Sequence, residues 1–205
     1  MPGCCNSGCE LEGMRERQRG TLRIVLVINA VMFFVVVAAA LYAGSASLMS
    51  DSLDNLGDAL TYGLSLYVVA RGARAKAKVA LLKGALIGLA ALVVAGQIGY
   101  KLLNPAVPIF EAMGLFGLLS LAANGVCLYL LWKHRTEDVN MSSVWECSRN
   151  DIAGNLAVVA AAFGVWASGS QWPDLVVAAG LLVLLLRSSW RVVASARAEL
   201  RTAAD

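Results

Sequence analysis

From Ile24 to Ser50 the chain carries no charged side chain, a run longer than the ~20 apolar residues that take a helix across a bilayer. In hydrocarbon every backbone N–H and C=O must be satisfied within the segment, so such a run folds as a helix. Comparable stretches recur to the end of the sequence. The first span ends near Ala43, and a second runs from about Ser45 to Ala70. A third, Gly84–Tyr100, lies between Lys83 and Lys101; Ala112–Trp132 is the fourth. The fifth runs from Asn140 to about Ala167, and the sixth starts at Pro173, a good first-turn residue, and leaves near Trp190. This predicts an all-α, polytopic membrane protein with six transmembrane helices.

Composition supports that reading. Apolar residues make up 59% of the 205, charged residues 15%, and the mean hydropathy is +0.68. Soluble domains run about 45–50% apolar and about 25% charged, so too little polar surface remains here to cover a water-soluble globule. Soluble enzyme, nucleic-acid binder and disordered tail are excluded as readings of the whole chain. A secretory signal peptide is also disfavoured, because the first apolar run is longer than a 7–15-residue h-region and a second span follows at once.

Orientation follows from the cations. Arg15, Arg17, Arg19 and Arg23 precede span one, and Arg71, Arg74, Lys76, Lys78 and Lys83 lie between spans two and three. Lys133 and Arg135 separate spans four and five, and Arg187, Arg191, Arg197 and Arg201 end the chain. Of the 17 Lys and Arg, all but Lys101 and Arg149 thus fall on one side. Both termini are expected in the cytoplasm, with the protein multi-pass in a membrane, the inner (plasma) membrane if the source is bacterial. Tyr67, Tyr100, Trp132, Trp172 and Trp190 fall near span ends, where interfacial aromatics belong.

Ionisable residues inside a span are costly and point to function. They occur in two spans. In SDSLDNLGDAL, Asp54 and Asp58 are four residues apart and share a helix face. In VWECSRNDIAG, Cys147 and Asp151 have the same spacing, within a polar seam of Asn140, Ser143, Cys147, Asp151 and Gly154. At 1.5 Å per residue, Asp58 and Cys147 lie about 20 and 18 Å from the basic residues Arg71 and Arg135. Asp54 and Asp151 lie about 25 and 24 Å from them. If the two spans are neighbours, Asp58 faces Cys147 and Asp54 faces Asp151. Three carboxylates and a thiolate cannot stay empty and ionised together in a low dielectric. Protons or a cation must neutralise them, and two i,i+4 pairs suit a tetrahedral divalent transition metal. Ligands that deprotonate to bind metal exchange it for protons. The alternative is that these groups only tie helices together by hydrogen bonds.

GSASLMSDSLDNLGDAL resembles the second-helix signature of the cation diffusion facilitator family of metal–proton antiporters. NMSSVWECSRNDIAG is similar to the family's fifth-helix pattern, and Asn124 and Trp172–Asp174 match positions on helices four and six. The resemblance covers about Arg19 to Arg191 and implies a cation efflux transmembrane domain over residues 19–191. A cytoplasmic Cys-containing tail, 1–18, precedes it and a short cytoplasmic tail, 192–205, follows. It implies export of Zn(II)-like cations against protons through a transport site of Asp54, Asp58, Cys147 and Asp151. Asp51 is an accessory residue: a metal ligand on the way in, a proton carrier, or a partner for Arg149. No prosthetic cofactor is implied, only the transported divalent cation, with Zn(II) or Cd(II) favoured. Cys147 stands where many zinc exporters have His, and thiolate favours soft cations over Mn(II) or Mg(II). The family's usual cytoplasmic ferredoxin-like domain has no counterpart in these residues, which implies a truncated form and leaves any homodimer to the membrane helices. The expected partners are metal cations, protons and the bilayer, and no nucleic acid.

Cys4, Cys5 and Cys9, beside Glu10, read as soft-metal collectors in a flexible tail or as incidental residues. Cys127, in an apolar span, reads as packing, and His134 as a loop residue. Arg149 is expected to pair with Asp51 or Glu146. Two other functions remain open: a membrane metal-binding or sensor protein that moves nothing, and a soft-metal importer using the N-terminal cysteines. No P-loop or phosphorylated-aspartate motif is present to drive an ATP-dependent pump.

Overall fold

The computed structural model describes residues 4–68, 73–133 and 139–202. They form six helices: α1 (Cys4–Ala43), α2 (Ala46–Val68), α3 (Ala73–Leu103), α4 (Phe110–Trp132), α5 (Val139–Ser168) and α6 (Trp172–Thr202). Arg71, His134 and Arg135 lie outside the described residues, as do the side chains of Cys4, Cys5, Cys9, Glu146 and Cys147.

Five helices contain stretches long and apolar enough to cross a membrane: Arg19–Ala43, Ala80–Leu103, Phe110–Trp132, Ser148–Ser168 and Trp172–Ala198. The sixth, α2, carries Asp51, Asp54 and Asp58 and holds no such stretch. Its position explains why that is tolerated. Among the described residues, α2 is the one helix that packs against all five others, so its polar side chains meet protein rather than lipid.

Two helix ends differ from the expected spans. The helix of span six runs on without a break from Trp172 to Thr202, past the expected exit near Trp190, because no Gly or Pro interrupts residues 181–202. At the N-terminus, α1 begins at Cys4, so the backbone of the three cysteines forms its first turns. The connection between α1 and α2 is a single tight turn. Gly44 adopts φ 60, a left-handed conformation open to a residue without Cβ, and the N–H of Leu48 caps onto Ser45 Oγ at 3.1 Å.

Helices α1, α2, α4 and α5 enclose the main core, built from Met32, Val36, Leu48, Met113, Val158 and Val165. Helices α3 and α6 pair beside it around Ile87, Ala91, Val94 and Leu185. The α3–α6 contact is close. A Cβ on Gly84 would lie 2.6 Å from Val193 Cγ2, and Ser189 Oγ donates to the Gly84 carbonyl at 2.8 Å. Small residues bring membrane helices together in this way, since burying apolar area drives little when lipid is equally apolar. Phe34, Leu92, Tyr129 and Trp190 project outward, as a lipid-facing surface requires.

Candidate functional site

One turn separates Asp51 from Asp54 along α2 and another separates Asp54 from Asp58, so the three carboxyls follow one side of the central helix. Opposite them, α5 presents Asp151, whose carboxyl lies within side-chain hydrogen-bonding reach of both Asp54 and Asp58. The expected meeting of Asp54 with Asp151 is therefore present, and Asp151 reaches Asp58 as well. Tyr62, one turn further along α2, donates its hydroxyl to Asp58 Oδ2 at 3.1 Å. Cys147 lies one turn before Asp151 on the same helix. Among the described residues, no three His, Cys, Asp or Glu side chains converge on one metal position.

The partners of Asp51 differ from the expected one. Asp51 is 5% exposed, and its carboxyl accepts a hydrogen bond from Ser120 Oγ of α4 at 2.7 Å. Arg149 is exposed instead, with its guanidinium 5.3 Å from the ring centroid of Trp145. An exposed guanidinium over an aromatic face keeps its hydration and its cation–π contact, which an internal pair with Asp51 would forfeit. Cys127 packs as expected, buried with Leu22, Val25, Tyr62 and Leu131, and Asn29 Nδ2 donates to its sulfur at 3.7 Å. Around the acidic cluster, Asn55 Oδ1, Ser148 Oγ and Asn155 Nδ2 are buried without a hydrogen-bond partner among the described residues. Polar atoms of this kind mark a locus that water or a hydrated ion can satisfy.

A second polar group, at the other end of α2, was not expected from the residues. Asp174 is 0% exposed and accepts hydrogen bonds from Ser45 Oγ (2.7 Å), Ser47 Oγ (2.7 Å), Ala46 N (2.9 Å) and Ser47 N (3.0 Å). Lys101 Nζ lies 3.1 Å from its Oδ2. The Ser45–Ala46–Ser47 sequence is a legible helix start, but the acid that completes it comes from α6.

The family model of the cation efflux transmembrane domain matches residues 22–200. The chain belongs to this family. No curated protein matches it. This cation efflux protein is thus a multi-pass membrane protein of a transporter family rather than an enzyme family. The family match, the six-helix fold and the acidic cluster on the central helix are mutually consistent.

Proposed function

We propose that this cation efflux protein exports Zn(II)-like divalent cations, Cd(II) included, from the cytoplasm in exchange for protons. Asp54, Asp58, Cys147 and Asp151 form the transport site, Asp51 serves it as an accessory carboxyl, and Cys4, Cys5 and Cys9 collect soft cations. The single observation that carries this reading is the approach of the Asp151 carboxyl to both Asp54 and Asp58 within hydrogen-bonding reach. Ionised carboxylates only accept hydrogen bonds, so carboxyls this close pair by sharing protons when no cation is bound. A divalent cation brings the charge that those protons supplied. Binding therefore opens the pairs, places oxygens and the Cys147 sulfur around the metal, and releases protons. The reverse step, on the far side, reloads protons and expels the metal. A thiolate among carboxylates favours Zn(II) and Cd(II) over hard ions.

The test is flux of Zn(II), Cd(II) and Mn(II) into proteoliposomes, with and without an imposed proton gradient, alongside proton release on metal binding in weakly buffered solution. Gradient-dependent Zn(II) and Cd(II) flux with proton release supports the exchanger. Metal binding without flux indicates a sensor or store. Flux of opposite direction that depends on Cys4, Cys5 and Cys9 indicates an importer.

A further inference from the structure

A carrier that exchanges ions must close its site from one side while it opens it to the other. We infer that Asp174, with Lys101 and the first turn of α2, forms the gate that closes the acidic cluster from the far side of the membrane, and that transport requires this knot to open. The inference rests on the transport reading above.

Three elements meet in the knot. Asp174 of α6 takes the two serine hydroxyls and two N–H groups of the α2 start, while Lys101 comes from the last turn of α3. Further bonds extend the knot to its surroundings. Gln97 Nε2 reaches the Ser45 carbonyl at 3.5 Å, and Gln171 Nε2 donates to the Lys101 carbonyl at 3.3 Å. Gln171 Oε1 accepts from Ala106 N at 3.2 Å, and Ile109 N donates to the Ala43 carbonyl at 3.0 Å. The α1–α2 turn, the end of α3, the loop to α4 and the start of α6 are thereby drawn over one end of α2.

Burial along α2 shows what the knot closes. Every residue from Ser45 to Ser52 is buried, whereas Asp54, Asp58 and Asp151 each keep partial exposure. The buried stretch from Ser45 to Ser52 leaves the cluster no open side at this end, so the gate reading places its opening at the other, toward the end of α2 that the basic residues mark as cytoplasmic. Ser47 and Asp54 are two helical turns apart, about 10 Å. The knot therefore sits directly over the acidic cluster on its closed side.

The chemistry suits a reversible closure better than a permanent staple. Apolar residues of similar volume commonly hold a buried position as well as an ion pair does, or better. An ion pair and helix-end hydrogen bonds have one property that apolar packing lacks: on separation, water satisfies each partner. The positive end of the α2 dipole and the Lys101 ammonium both face the carboxylate, so loss of its charge loosens all five contacts together.

Sided labelling tests the gate. Ser50→Cys reports on the closed side of the cluster and Thr61→Cys on the open side. Each is read by an impermeant maleimide added to either face of oriented vesicles, with peptide-resolved mass spectrometry separating the reporter from the native cysteines. Asp174→Asn should raise far-side labelling of Ser50→Cys about tenfold or more, as expected when hydrogen bonds to a charged group are lost. Labelling of Thr61→Cys from the basic side should fall in step. Lys101→Met, which leaves the helix cap in place, should shift both in the same directions by less, and stands in if Asp174→Asn does not fold. Both reporters rising together, or neither moving, overturns the gate and leaves Asp174 as a structural cap. Because labelling needs no metal flux, a reciprocal shift in a protein that transports nothing upholds the gate while refuting the exchanger.

Discussion

Ser120 on α4 donates its hydroxyl to Asp51 on α2 at 2.7 Å, with both side chains buried. The bond fixes the carboxyl nearest the closed end of the acidic cluster to a helix that contributes no carboxyl of its own to it. It also removes Asp51 from the role of counter-ion to Arg149, which lies exposed over Trp145. Asp51 is held as an acceptor, one turn beyond Asp54 on the closed side.

The first prediction concerns this bond. Ser120→Ala strands a buried carboxyl and should cost about 1–3 kcal/mol of stability. In an Asp51→Ala background the same change should cost far less, because the partner is already gone. Thermal unfolding of the two single variants and the double variant measures the coupling. Additive losses would show that the two side chains act independently.

The second prediction separates ligand from support. Asp58→Ala should abolish metal flux while membrane insertion persists, since it removes one group from a four-residue site. Tyr62→Phe keeps every proposed ligand and deletes only the hydroxyl donated to Asp58. It should weaken apparent metal affinity about tenfold, in line with one hydrogen bond to a charged group. Near-normal zinc flux in Asp58→Ala would refute the site.

The acidic cluster was legible because helices have a fixed rise. Counting 1.5 Å steps from Arg71 and Arg135 put Asp54 and Asp151 at one depth, and their carboxyls lie within hydrogen-bonding reach. Depth says nothing about azimuth, however, which is why Asp151 reaching Asp58 as well, and Arg149 turning outward, could not be read from spacing. The Asp174 knot was out of reach for a different reason. Its partners Ser45 and Ser47 lie 129 and 127 residues away in sequence, and only the packing of α6 against α2 and α3 brings them together. Lys101 only bounds the third span in the sequence, yet a buried counter-ion draws it inward. The length of α6 was missed because polar residues after Trp190 look like a span's end, although nothing in them stops a helix.

The third prediction concerns the α3–α6 pair. Gly84→Ala sets a methyl 2.6 Å from Val193 Cγ2 and 3.3 Å from the Val193 backbone nitrogen, so the helices must separate or the valine must shift. Overpacking of this kind costs about 1–3 kcal/mol. Gly96→Ala, where nothing lies within 4 Å of the new carbon, should be neutral or slightly stabilising through helix propensity. Unfolding temperatures in one detergent distinguish the two. Equal effects would mean that the close approach at Gly84 is absent in the folded protein.

The last prediction concerns selectivity and rests on Cys147, one turn from Asp151 on α5. Thiolate binds soft cations more strongly than imidazole or carboxylate does. Its bond to zinc is also longer, about 2.3 Å against 2.0–2.1 Å for nitrogen. A site with one sulfur therefore suits the larger, softer Cd(II) better than the same site with His. Cys147→His should keep zinc flux and lower the cadmium-to-zinc ratio. Cys147→Asp makes the four-residue site all oxygen and should admit harder ions such as Mn(II). Matched proteoliposomes of the three proteins, each assayed with all three metals, measure the ratios. Residue 147 sets the preference only if the ratios move in opposite senses for His and Asp. A cadmium-to-zinc ratio unchanged in Cys147→His would remove this residue from the metal's coordination and leave the site to its three carboxyls.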